Sequence, residues 1–111
     1  MRWEPERQTA LINRQLTLSA DDISAFCKQH LIRRLSLFGS VLRDDFTRDS
    51  DVDVLVEFEP GARVGYFELA DMMFELEDLL GRKVDLLTPE ALSPYFRQKV
   101  LDTARVIYER K

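Results

Sequence analysis

LSLFGSVLRDDFTRDSDVDVLVEF, residues 35–58, contains the two strands and the turn around which the chain is built. Its first half is a short apolar run that stops at Gly39-Ser40, and a short helix is predicted after it, over about residues 40–45. The first N–H groups of a helix are unpaired, and the helix dipole favours an anion beside them. The Ser40 hydroxyl adds one more donor. This half of the stretch therefore predicts a phosphate-binding turn.

The second half predicts a β-strand that carries two aspartates on one face. Residues 50–56 alternate in polarity, so Asp51 and Asp53 lie on one face and the valines between them on the other. Strands disfavour aspartate, and two carboxylates about 6 Å apart repel by roughly 3 kcal/mol at an effective dielectric constant of 20. A divalent cation would remove this repulsion, and Mg²⁺ prefers one or two carboxylates together with substrate phosphates. The two halves therefore predict one site for a nucleotide and its metal.

A second interpretation places these acids in a solvated loop. Residues 44–53 contain five aspartates, and segments of this kind are usually exposed. A loop accounts well for three of them: Asp44, Asp45 and Asp49. It does not account for the alternation of Asp51 and Asp53 with valines.

Two motifs together resemble a known family. Gly39-Ser40-x-x-Arg43-x-Asp45, followed by Ser50-Asp51-x-Asp53, is similar to the signature of the minimal nucleotidyltransferases of the DNA polymerase β superfamily. A later strand over residues 84–87 resembles the strand that carries the third carboxylate of this family, here Asp85. The resemblance covers roughly residues 20–109. Asp44 departs from the pattern, because the family often has glycine there.

The resemblance implies a fold and a set of site residues. The fold would be α/β (α+β), a small mixed sheet of three to five strands with helices mainly on one face, as in the polymerase β-like core. Three catalytic carboxylates would bind two Mg²⁺ ions: Asp51, Asp53 and Asp85. Three residues would bind ATP as the substrate: Gly39, Ser40 and Arg43.

Two of these residues keep alternative roles. Arg43 either neutralises the phosphates or braces a neighbouring acid such as Asp45. Asp85 either completes the metal site or acts directly as the general base.

The resemblance also implies a partner. Minimal nucleotidyltransferases of this type are commonly paired with a small helical HEPN protein, which is a ribonuclease toxin, so a hetero-oligomer is expected. The nucleotidyltransferase acts as the antitoxin by transferring AMP from ATP to a tyrosine of the toxin. Two other functions stay open. One is a non-catalytic antitoxin that neutralises its partner by contact alone, and the other is an antibiotic-type nucleotidyltransferase with a small-molecule acceptor.

Composition limits the class of protein. A chain of 111 residues with 45% apolar residues can bury one core. Its net charge of −4 argues against direct binding of nucleic acid, which needs a basic face. The sequence has one cysteine, Cys27, and no apolar run long enough to cross a membrane, so we expect a cytoplasmic protein with this residue in the core.

The chain divides into an N-terminal extension, residues 1–18, and a nucleotidyltransferase domain, residues 19–111. Within the extension, residues 9–18 are compatible with either a helix or an extended arm. We expect three helices, over about residues 20–30, 65–80 and 94–103, and an edge strand near residue 107. Other expectations concern single positions. Leu79 and Phe96 are predicted to be buried, and His30 to contact the last carbonyls of its helix. Residues 48–49 and 60–66 are predicted to border the site and to contact the partner.

Overall fold

The structure is a computed structural model that describes residues 9–13, 16–43, 46–47 and 49–110. It has six strands: β1 (Thr9–Asn13), β2 (Leu16–Ser19), β3 (Ile32–Phe38), β4 (Val52–Phe58), β5 (Val84–Leu87) and β6 (Arg105–Glu109). It has three α-helices: α1 (Ala20–Gln29), α2 (Tyr66–Leu80) and α3 (Pro94–Thr103). Two short 3₁₀ helices, Gly39–Leu42 and Pro89–Ala91, complete the described elements.

The central sheet has four strands in the order β5-β4-β3-β6. Strand β3 is antiparallel to both of its neighbours, whereas β4 and β5 are parallel and joined through α2. Strands β1 and β2 form a separate antiparallel hairpin. The predicted fold class, a small mixed sheet of three to five strands with helices, is therefore confirmed.

The pleat of the sheet gives it two faces of different composition. On one side, the core face, Val52, Val54 and Val56 of β4 are fully buried and join the core. Helices α1 and α2 cover this face with five core residues: Ile23, Phe26, Cys27, Met72 and Leu76. The alternate residues of β3, β4 and β5 form the opposite side, the acidic face: Ser36, Asp53, Leu55, Glu57 and Asp85. Near Leu55 this face borders an open groove that is also lined by residues at the C-terminal end of α3.

The predicted helices are confirmed, with small shifts at their ends. Ser19 caps α1, because its Oγ accepts a hydrogen bond from the backbone N–H of Asp22 at 3.3 Å. Gly81 ends α2 with a left-handed φ of 68°. The prediction for His30 is wrong. Its Nε2 lies 3.0 Å from Oε1 of Glu75 on α2, because the two helices pack side by side on the core face.

Some predicted boundaries and burials are wrong. Strand β3 begins at Ile32, three residues earlier than expected, because Arg34 faces the acidic face and pairs with Glu57 at 2.9 Å. Leu79 and Phe96 are exposed. The helix predicted over residues 40–45 is a 3₁₀ turn that ends at Leu42, and Asp44 and Asp45 lie outside the described residues.

The described part of the N-terminal extension is extended and belongs to the hairpin of β1 and β2. Of the two predicted conformations, helix and extended arm, it therefore adopts the second. Strand β2 crosses the predicted boundary between residues 18 and 19, and Leu18 is buried in the core. Residues 1–8 lie outside the described residues. The division at residue 18 stays a prediction.

Cys27 is confirmed as a core residue. It is fully buried, and burial raises the pKa of its thiol to about 12. The thiol therefore stays protonated at neutral pH, which suits packing and not nucleophilic chemistry. Across the described part of the chain, no helix combines the length and the apolar character that crossing a membrane requires.

Candidate active site

Asp53 and Asp85 lie side by side on the acidic face. They are register partners on the parallel strands β4 and β5, which places their Cα atoms roughly 4.8 Å apart. The alternation that puts Val52, Val54, Val84 and Leu86 into the core puts both carboxylates on the other face. Asp85 could complete a triad only if its strand paired beside the strand of Asp53, and this condition is met.

The electrostatics of Asp53 show how closely the charges are grouped. Partial burial raises the pKa of this carboxyl, and the negative charges of Asp85 and then Asp51 raise it further. The positive charge of Arg43 acts in the opposite direction. Asp51 itself is exposed and lies one residue before β4. The three predicted carboxylates are thus electrostatic neighbours, and Asp53 is the most confined of them.

Gly39 contacts the same carboxylate. Its φ is +78°, a left-handed conformation that other residues rarely adopt, and a Cβ added there would overlap Oδ2 of Asp53. The sequence predicted that this glycine allows phosphates to approach the backbone. The structure adds a nearer reason, because any side chain at residue 39 would displace the Asp53 carboxylate.

The remaining predicted nucleotide-binding residues follow Gly39 directly. Ser40 is half-buried in the 3₁₀ turn, and Arg43 is exposed and extended just after it. A 3₁₀ turn of four residues has only a small dipole. The contribution that a helix dipole was predicted to make to anion binding is therefore small here. Local backbone N–H groups, the Ser40 hydroxyl and the Arg43 charge are the donors that this corner of the sheet can direct at an anion.

One residue with a clear place at the site was missed by the sequence reasoning. Arg82 donates from Nη2 to the carbonyl oxygens of Thr47 and Ser50, the latter at 3.1 Å, and its guanidinium lies 4.3 Å from the ring centroid of Phe46. These contacts hold the loop that leads into Asp51. No pattern in residues 46–50 signals that an arginine so distant in sequence binds them.

The residue types at this corner fit Mg²⁺. All three aspartates offer hard oxygen donors, which this ion prefers. The pKa of Asp53 is raised first by burial and then by the negative charges of Asp85 and Asp51, which a cation would neutralise. Within the described ranges, no group of three or more His, Cys, Asp or Glu side chains is arranged to hold a metal ion. The carboxylates are therefore neighbours in position and charge without forming a finished ligand set, as expected for like charges that repel one another.

A mixed sheet with acids on adjacent parallel strands, beside a Gly-Ser turn, defines a nucleotidyltransferase core. The family comparison agrees: the chain belongs to the nucleotidyltransferase domain family, whose model matches residues 21–107. Protein adenylyltransferase MntA of Thermococcus cleftensis is 38% identical over 71 residues, which are 63% of this chain and 69% of that one. A Methanocaldococcus jannaschii protein named as a candidate protein adenylyltransferase is 37% identical over 76 residues, covering 68% and 80%.

Solved structures give the same fold. A candidate minimal nucleotidyltransferase aligns with a TM-score of 0.64 at 36% identity, covering 77% of this chain and 85% of that chain. A toxin–antitoxin complex with AMP-PNP aligns with a TM-score of 0.67 at 20% identity, covering 85% and 76%. A tri-AMPylated Shewanella oneidensis HEPN toxin in complex with an MNT antitoxin gives 0.59 at 18% identity, covering 82% and 70%. The last two likenesses concern the fold alone.

Proposed function

We propose that this chain is a Mg²⁺-dependent protein adenylyltransferase, the antitoxin of a HEPN/MNT pair. It transfers AMP from ATP to a tyrosine hydroxyl of the HEPN toxin in the cytoplasm. The observation that carries the proposal is the pair of carboxylates Asp53 and Asp85, side by side on parallel strands with Gly39 against one of them.

Each of the site residues has its own role in the proposed reaction. Asp51 and Asp53 bind the metal that accompanies the triphosphate, and Asp85 completes a second metal site or takes the proton from the acceptor. Ser40 and Arg43 lie where they can donate to the phosphates. Arg82 holds the loop that leads into Asp51, so it is a positioning residue.

The transfer is an in-line displacement at the α-phosphate. The acceptor oxygen bonds to the α-phosphorus, the bond from that phosphorus to the bridging oxygen breaks, and pyrophosphate leaves. The hydroxyl proton passes to Asp85 or to solvent. Bound Mg²⁺ supplies charge neutralisation for both the entering and the leaving oxygens.

The relatives support a protein acceptor. They are named protein adenylyltransferases, and one structural neighbour is a complex of an MNT antitoxin with a HEPN toxin.

Pyrophosphate release tests the proposal and separates it from the two alternatives. The full chain with ATP and Mg²⁺ should release little pyrophosphate alone and much more when the cognate HEPN protein is added. A binding-only antitoxin would bind that protein without any release. A small-molecule enzyme would release pyrophosphate with an added aminoglycoside or similar hydroxyl acceptor and ignore the protein, and this result would overturn the proposal.

A further inference from the structure

The outer side of α2 carries aromatic residues that the core does not use. Tyr66, Phe67 and Phe74 are 91%, 86% and 58% exposed. At 100° per residue, Phe67 lies 180° around the helix from the fully buried Leu76, and Phe74 lies 160° from it. An amphipathic helix normally has polar residues in this position. Phenylalanines facing solvent on the outermost side of a helix are typical of an interaction surface.

The same helix is strongly acidic. Its fifteen residues, YFELADMMFELEDLL, include five acids and no basic residue. Two of these acids, Asp71 and Asp78, are exposed and lie within 40° of Phe67 around the helix. We call the outer side of α2 the aromatic–acidic face; its members are Phe67, Asp71, Phe74 and Asp78, and the exposed Tyr66 borders it at the first residue of the helix.

We infer that the aromatic–acidic face is the docking surface for the protein partner, a face separate from the catalytic carboxylates. This inference rests on the proposed function for the identity of the partner, the HEPN protein. The chemistry of the face specifies a complementary surface with an apolar groove for the two phenylalanines, bordered by lysine or arginine.

Charge favours this occupant over a second copy of the chain. A symmetric dimer through α2 would bring each helix against itself, and acids that have no basic neighbours on their helix would face acids. Like charges placed across an interface are strongly unfavourable. A partner with basic residues beside its groove would pair with the same acids.

A shallow depression extends the face near the start of α2. It has a volume of about 230 Å³ and is bordered by the half-buried Val64, the exposed Leu31 and Asp71, which also belongs to the aromatic–acidic face. An apolar side chain of the partner would fit beside Leu31 and Val64. The docking surface is therefore continuous around the N-terminal half of the helix.

The position of this face separates docking from chemistry. Strand β4 carries the chain from Asp53 to Phe58, about 17 Å, so residues 60–66 lie at the opposite end of the sheet from the carboxylates. The expectation that this segment borders the active site is therefore wrong. Helix α2 also covers the core face, whereas the carboxylates lie on the acidic face. Losing the docking surface should weaken binding without changing the catalytic groups.

The test compares two exposed aromatic sites in the full chain. The double variant Phe67→Ala/Phe74→Ala should weaken binding of the cognate HEPN protein by tenfold or more, measured by calorimetry. Tyr95→Ala removes an aromatic that is 93% exposed on α3 and should leave the affinity unchanged. The double variant should raise the KM for the partner and leave kcat of AMP transfer nearly unchanged. Asp71→Lys/Asp78→Lys should also weaken binding, and by less at high salt.

Each outcome bears on the proposal. Wild-type affinity in the double variant would overturn the docking surface, and the proposed function would survive if transfer continues. No complex between the wild-type chain and the HEPN protein would overturn both. Sedimentation of the chain alone gives the last outcome. A dimer that dissociates in the double variant would assign this face to a second copy and contradict the inference.

Discussion

The two faces of the central sheet carry opposite kinds of residue on the same strands. On β4 the core face has Val52, Val54 and Val56, all fully buried, and the acidic face has Asp53 and Glu57, which are only partly buried. The valines stabilise the strand by removing apolar surface from water. Because the pKa of Asp53 is raised, its ionised carboxylate is unfavourable in the folded protein and lowers the free energy of unfolding. One strand therefore supplies stability on one face and, on the other, the carboxylate that we propose as a metal ligand.

The acidic face is itself not uniform, because its two acids on β4 have different charged neighbours. Glu57 lies four residues beyond Asp53 and is neutralised by an ion pair with Arg34 at 2.9 Å. Asp53 instead has two acids among its electrostatic neighbours, with Arg43 as the opposing charge. Two acids on one face of one strand thus have opposite environments. The paired acid stabilises the sheet, and the confined acid is available for chemistry.

The largest effect is expected for Asp53→Asn. AMP transfer should fall roughly a thousandfold or more, because the variant loses a carboxylate that we propose as a charged metal ligand. The metal-free protein should melt at a higher temperature than wild type, since the ionised carboxylate is unfavourable there and the amide is neutral.

Glu57→Gln is the matched control on the same face. It should keep transfer and leave the melting temperature unchanged or slightly lower, because it removes one partner of a partly exposed ion pair. Equal loss of transfer in both variants would contradict the distinction between the two acids. A lower melting temperature in Asp53→Asn would assign this carboxylate a structural role.

On the core face, Leu37→Ala should lower the free energy of unfolding by about 2–5 kcal/mol. Leu37 is fully buried and pairs with Val54 across the strands. Leu101→Ala, at an exposed leucine of α3, should change stability by no more than about 0.5 kcal/mol. Urea denaturation of both variants gives the comparison. Transfer measured at a temperature where Leu37→Ala is folded should stay near wild type.

Gly39→Ala should affect both stability and catalysis. The left-handed φ of +78° costs about 1–2 kcal/mol for a residue with a Cβ, and this Cβ also displaces the Asp53 carboxylate. Gly61→Ala is a close control, because its φ is +86° and nothing lies within 4 Å of the added Cβ. Both variants should lose similar stability in thermal melts. Only Gly39→Ala should lose transfer; equal transfer in the two would disconnect this glycine from the site.

The smallest effect is expected for Arg82→Gln. The variant loses the hydrogen bonds to Thr47 and Ser50 and the contact with Phe46, so the loop before Asp51 should loosen and transfer should fall about tenfold. Lys83→Gln, at the exposed neighbouring residue, should keep wild-type kinetics. Arg82→Lys should recover only part of the activity, because the lysine ammonium does not reproduce the stacking of the planar guanidinium on the Phe46 ring. Full activity in Arg82→Gln would remove the positioning role.

Sequence reasoning predicted the parts of the fold that local patterns determine. The alternation around Asp53 identified the two faces of β4, and the Gly39-Ser40 motif identified the turn. The bounds of the helices were predicted closely, because the caps at Ser19 and Gly81 depend on a few neighbouring residues. A triad with Asp85 was predicted only for the case in which its strand pairs beside the strand of Asp53. Local patterns do not determine this pairing, because it depends on contacts across the whole chain.

The errors have a common physical origin in contacts between distant segments. Arg82 was overlooked because its partners, Thr47 and Ser50, are more than thirty residues away in the sequence. His30 pairs with Glu75 on another helix for the same reason. The short helix after Gly39 was overestimated, since the residues that form a 3₁₀ turn carry no signal distinguishing it from the start of an α-helix.

Transfer of AMP to a protein at the acidic face is the step on which the proposed function depends. Intact-protein mass spectrometry of the cognate HEPN protein measures this step, after incubation with ATP, Mg²⁺ and either the wild-type chain or Asp53→Asn. The partner should gain the mass of one or more AMP groups on tyrosine with the wild-type chain and none with Asp53→Asn, while both chains bind it equally. An unmodified partner whose toxicity is nevertheless neutralised by both chains would contradict catalysis and favour an antitoxin that acts by contact alone.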